Sequence, residues 1–154
     1  MKTFLLVSLL LATQPATSGE FNYAAYKESS ISAAGSDLGI DPGADYWLDM
    51  GYSKFNTDAI FTGNVRPLQA VTRTLIQKWA TAARAGKKTA EMYTSEIEVT
   101  QDGTNYWLPI QQALVEPLRH EVKAGTSAHF YVLLVGAHKG VRVFVVNEFN
   151  APKA

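Results

Sequence analysis

Three histidines, His120, His129 and His138, fall within nineteen residues, with Glu121 and Glu148 nearby in sequence. Imidazole nitrogens and carboxylate oxygens are zinc ligands, and the same groups serve acid–base catalysis. The spacing follows neither HExxH nor an equivalent helix-borne pattern. The three rings belong to a predicted helix, a strand and a hairpin tip, so a site would need convergence from three elements. The expected register of the last hairpin sets His129 against Glu148, a contact that a strand end explains by itself. A small secreted hydrolase or metal-dependent enzyme using His120, His129 and Glu148 is the alternative these residues leave open.

Other reactive sets are weaker. Glu96 and Glu98 lie two apart on one strand face, whereas glycoside hydrolysis places two carboxylates about 5–10 Å apart across a cleft. On an open strand face such a pair is usually solvated. Asp37, Asp41, Asp45 and Asp49 recur every four residues. They lack the alternating oxygens and closing acid of a calcium loop, and Pro42 stops a helix from aligning them. Ser127 precedes His129 by two residues without the second glycine of GxSxG. The glycines of "VGAHKG" belong to a hairpin, not to a phosphate loop. Cysteine is absent, which excludes thiol chemistry. No catalytic residue, metal or cofactor is assigned, and binding is the expected activity.

Charge gives the firmer lead. Net charge is zero, but it is segregated along the chain. Residues 19–64 carry seven acids against Lys27 and Lys54, and residues 65–90 carry six bases and no acid. In "NVRPLQAVTRTLIQKWATAARAG", Asn64 suits a helix cap, Pro67 a first turn and Gly86 a stop. Val65, Leu68, Val71, Leu75, Ile76, Trp79 and Ala83 then form one apolar stripe. Arg66, Arg73 and Arg84 fall within about 20° of one another on the opposite side. With Lys87 and Lys88 they could contact phosphates, headgroups or an acidic polymer. Such runs are more often solvated, and the acidic N-terminal segment is a competing partner. The expected partner is a protein or an anionic cell-envelope polymer; nucleic acid is not expected.

The elements that must position these groups follow from periodicity. "EMYTSEIEVTQDGTNYWLPIQ" reads as a hairpin turning at Asp102-Gly103, with Val99 facing Tyr106, Ile97 facing Leu108 and Glu98 facing Trp107. Pro109 is expected to cut its return strand short. Trp107 thus lies on the polar face, as a ligand platform with Glu98 or as a ring covered by the N-terminal segment through Trp47 and Phe55. "LPIQQALVEPLRHEVKAG" reads as a helix, with Ile110, Leu114, Leu118 and Val122 four apart, kinked or restarted at Pro117 and ended by Gly125. "AHFYVLLVGAHKGVRVFVVNEF" reads as a hairpin around His138-Lys139 whose strands, apolar on both faces, are covered on both sides.

The order helix, hairpin, helix, hairpin predicts an α+β domain. Its antiparallel sheet either stays open under the helices or curls into a small OB-like barrel. No motif is specific to that fold.

The first residues, MKTFLLVSLLLATQPATSGEF, combine Lys2, the apolar run Phe4–Ala12 and small residues at Ala16 and Ser18. That is the pattern of a secretory signal peptide cut near Ser18/Gly19. The apolar run falls well short of the roughly 20 residues a membrane span needs. No cysteine is available for acylation or disulfides, so the domain relies on its core. The expected organisation is a signal peptide over 1–18, an acidic Gly/Ser/Asp-rich arm over 19–60, a core domain over 61–150 and a tail over 151–154. The expected role is a secreted or periplasmic binding domain, with a structural or assembly protein as a further alternative.

Overall fold

The computed structural model describes residues 20–153, so the expected signal peptide lies outside the described residues. A short 3-10 turn (Tyr23–Ala25) leads into β1 (Lys27–Glu28), β2 (Tyr46–Leu48) and β3 (Lys54–Pro67). Helices α1 (Ala70–Ala82) and α2 (Lys87–Glu91) precede the hairpin of β4 (Tyr93–Gln101) and β5 (Thr104–Gln111). Helix α3 (Gln112–Glu121) joins it to β6 (Thr126–His138) and β7 (Val141–Asn150).

Five strands close into a barrel in the order β3-β4-β5-β7-β6, with β6 returning to β3. β1 and β2 are added outside it, on β3 and β6 respectively. The fold is therefore mixed α+β around a small closed barrel. β3 makes closure possible because its first half pairs with β6 and its second with β4. The register shifts between Phe61 and Val65, where Gly63 has φ 92°. A Cβ at Gly63 would approach the Ala124 Cβ to 2.8 Å, so both backbone and space require glycine there.

The barrel interior is filled by Phe61, Ile97, Val99, Ile110, Phe130 and Leu134, all buried. Leu118 and Val122, from α3 and its end, pack into the same cluster. A second cluster lies outside, where Leu75, Ile76 and Trp79 of α1 cover Leu133 and Val135 of β6 and Val145 of β7. Successive β6 residues thus point into two different cores, which explains why that hairpin is apolar on both faces.

Several expected boundaries move. The helix expected from Asn64 begins only at Ala70, and Asn64, Arg66 and Pro67 belong to β3. Val65 pairs with Ile97, and the buried Glu96 accepts hydrogen bonds from Arg66 and from the Gln69 backbone N–H. Strand pairing and a tertiary anchor override the helical period. Arg66 consequently shares no helix face with Arg73 and Arg84. β3 also runs through position 60, so part of the expected arm is barrel strand. Pro109 does not cut β5 short, since the strand continues to Gln111 and the helix begins at Gln112.

The first hairpin keeps its expected register, with Glu98 opposite Trp107. Asp102 and Gly103 both have positive φ, the geometry a two-residue turn requires. In the second hairpin Lys139 and Gly140 supply that geometry, one residue later than expected. The pairs at both ends of the ladder move by two, so His129 faces Asn150 and Glu148 faces Tyr131, while Val132 to Leu134, between two register irregularities, move by one.

Candidate functional site

The outer face of β3, β4 and β5 holds Arg66, Glu98 and Trp107. Glu96 is 2% exposed, and its Oε2 accepts from Arg66 Nε at 2.9 Å and Nη2 at 2.8 Å. The held guanidinium lies over the Trp107 ring, 3.8 Å from its centroid. Trp107 is half-buried, and its cover is Arg66 rather than Trp47 or Phe55, which pack on the interior cluster. An aromatic face stacked by a pinned arginine is not free to take a sugar. Glu98 is equally engaged: it accepts from Asn64 at 2.7 Å, Thr62 at 3.0 Å and Asn105 at 3.1 Å. The Asn64 bond above all, then Thr62, holds its carboxylate below the usual range. Glu96 and Glu98 are thus structural acceptors, not a solvated pair, and with Arg66 they leave this face one negative charge in excess.

Three other basic residues, all exposed, border a different region. Arg73, Arg84 and Lys87 line one cavity between α1, α2 and β4, with a volume of about 800 Å³. The helix period builds this wall: Arg73, Gln77 and Ala80 lie on one stripe of α1, and Arg84 follows just beyond its end. Arg84 has φ 54° and turns the chain toward α2, whose first residue is Lys87. Ala90 and the Tyr93 ring complete the lining. The Tyr93 hydroxyl donates to Asn147 Oδ1, and burial pushes its pKa up to about 12. Lys87 meets Glu91 at 3.4 Å, while no carboxylate among the described residues lies within 4.0 Å of Arg73 or Arg84. Lys88 is exposed and does not line the cavity.

The histidines take separate partners. His129 Nδ1 lies 2.7 Å from Asp58 Oδ1, and His138 Nδ1 lies 2.7 Å from the Asp45 carbonyl. Glu148 accepts from the Phe149 backbone N–H, and His120 sits on α3. Among the described residues, no three His, Asp or Glu side chains gather closely enough to hold a metal ion. Two of the evenly spaced aspartates shape turns: Asp49 accepts from the N–H groups of Gly51 and Ser53, and Asp41 from that of Gly43.

Compared with known proteins, the chain matches no family model, no curated protein and no solved structure. The site therefore rests on its own chemistry. Sequence reading singled out Arg73, Arg84 and Lys87 and missed Gln77, Ala90 and Tyr93. The helix spacing from Arg73 to Ala80 was a usable signal for one wall. Nothing local marks the fold-back that brings Tyr93 beneath it.

Proposed function

We propose that this chain is an exported, non-catalytic binding domain whose ligand is anionic and sits between α1, α2 and β4. The observation carrying this reading is that Arg73, Arg84 and Lys87 all line one cavity of about 800 Å³. That size falls in the range of small-molecule sites. Its fixed positive charge has one carboxylate, Glu91, set against it. Export rests on the apolar run and small residues ahead of Gly19. The strand order, with a helix between the third and fourth barrel strands, resembles an OB-like barrel. In that fold the connection between the first two strands contributes to ligand binding, and here that connection carries α1 and α2.

The test is a thermal-shift screen with a panel of small and polymeric anions, run beside Arg73→Ala/Arg84→Ala/Lys87→Ala. Arg66 stays untouched, because its loss would strip Glu96 and Trp107 of their partner. An anion that stabilises the parent protein and not the triple variant is expected. Equal shifts for both proteins, or none for either, would sink the reading.

A second reading has one observation behind it. Asp58 orients His129 beside a cavity of about 520 Å³ that Ser29 and Ser30 also line. Turnover of an ester or peptide that His129→Ala abolishes would make this a hydrolase instead.

A further inference from the structure

We infer that a slot between β5 and β7 accepts an extended, uncharged peptide segment as an added strand, at a place separate from the anion cavity. The two strands face each other at one pair, Ile110 with Val146. Counting back along two parallel strands sets Leu108 opposite Phe144 and Tyr106 opposite Arg142. Among the described residues no pairing continues there. Residues 105–109 and 140–144 instead line a cavity of about 440 Å³. Exposed Asn105 and Val141 open it to solvent.

Backbone geometry sets what this slot lacks. A two-residue turn closes on a hydrogen-bonded pair, here Gln101 with Thr104 and His138 with Val141. In an antiparallel ladder the next residue turns its N–H and C=O the other way. The backbone groups of Asn105 and Trp107 therefore point away from β4, and those of Arg142 away from β6, all toward the slot. A continued parallel ladder would join Arg142 to the Asn105 C=O and the Trp107 N–H. Pro109, in the same phase, has no N–H to donate toward Phe144, so the ladder stops at Ile110. A strand laid between β5 and β7 would meet backbone donors and acceptors on both sides, which is recognition by strand addition. About four residues suffice to run from Asn105 to Leu108. Their side chains would meet Tyr106 and the buried Leu108 and Phe144 toward the interior, and Trp107 and Val143 outside. Charge does not favour a charged segment: Arg66 is matched by Glu96, and the Arg142 guanidinium donates to the Ser32 and Ala34 carbonyls.

Amide exchange followed by NMR on the purified protein tests this, with and without a blocked pentapeptide of alternating threonine and valine at millimolar concentration. In the free protein the Trp107 and Arg142 amides should exchange about tenfold or more faster than those of Tyr106 and Val143, which bond to β4 and β6. The peptide should slow Trp107 and Arg142 by about tenfold. The same peptide N-methylated at its valines cannot donate along one edge and should leave them fast. Thr72→Trp fills the outer rim of the cavity and should weaken the effect of the unmodified peptide. Val141→Trp, at a position 69% exposed, repeats that arm should Thr72→Trp lower the melting temperature.

Trp107 and Arg142 amides as slow as their neighbours in the free protein would overturn the slot itself. Equal protection by the methylated peptide would overturn strand addition. No slowing by the unmodified peptide, or slowing confined to residues 73–93, would overturn binding at this place and leave the anion reading intact.

Discussion

Glu96 shows how one buried side chain can organise three elements. Its two oxygens hold Arg66 on β3 and the Gln69 N–H that opens α1, and through Arg66 it covers Trp107 on β5. Removing the carboxylate leaves a guanidinium that is only 36% exposed without its partner, and a helix end without its acceptor. Glu96→Ala is expected to cost about 2–4 kcal/mol, between the limits for exposed pairs and for broken buried ones. Urea unfolding measures the cost, and Trp107 fluorescence should shift to the red as its cover loosens. A variant as stable as the parent would show that the pair is incidental. Tyr93, 5% exposed, makes a second prediction at this scale. Burial raises its pKa to about 12, above the ordinary value of about 10. The folded state therefore holds the phenol proton where the unfolded chain releases it. Its contribution is complete below pH 10 and is lost as pH rises toward 12, at about 1.4 kcal/mol per unit. Urea titrations across that window should show a shallower loss in Tyr93→Phe than in the parent. Identical slopes would rule Tyr93 out as the group responsible.

The added strand β2 depends on a glycine in its neighbour. Gly136 pairs with Leu48, and a Cβ there would fall 2.1 Å from the Trp47 carbonyl oxygen and 3.2 Å from the Leu48 Cα. Both obstacles are backbone, so a side chain cannot be accommodated by a rotamer change. Gly136→Ala should displace β2 and cost about 1–3 kcal/mol, as overpacking does, with faster amide exchange confined to residues 46–48. Unchanged protection there would mean that the strand tolerates the shift. Helix α1 is anchored near the same place: Trp79 is 3% exposed, and its Nε1 donates to the Asp49 carbonyl at 3.0 Å. Trp79→Ala is expected to cost about 3–5 kcal/mol in chemical unfolding. A stable variant would contradict its place in the outer core. These elements also mark what the sequence made legible. The Asp102-Gly103 turn specifies its own hairpin because both positive-φ positions are chemically obvious, and the doubly apolar β6 announces a strand with cores on both sides. The start of α1 was hidden because Glu96, distant in sequence, decides where strand gives way to helix. The second hairpin slipped because Lys139, not His138, takes the left-handed turn position. In the basic cavity, Arg73 was legible by helical spacing, whereas Arg84, past the end of α1 with φ 54°, and Tyr93 enter only through the fold.

A closed barrel has no free edge, yet its seams need not be equally strong. β6 pairs with β7, β3 and β2 and is covered from inside by the barrel core and from outside by α1. The β3–β6 seam runs continuously from Lys54–Leu133 to Phe61–Thr126. The β5–β7 seam is parallel and has one facing pair, Ile110 with Val146. Parallel pairing is slightly weaker per residue, and a short ladder offers few bonds to break before it parts. Opening there would leave both hairpins intact and the β3–β6 closure in place. The barrel should therefore loosen first between β5 and β7, below the free energy of global unfolding. Native-state amide exchange at low denaturant tests this directly. Amides that bridge β5 and β7 should exchange through a smaller opening than those of Phe130–Val135 in β6, which should follow global unfolding. Equal exchange free energies for both sets would mean that the barrel opens only as a unit. With no cysteine in the chain to staple it, cohesion at this seam then comes from Ile110, Val146 and the interior they share.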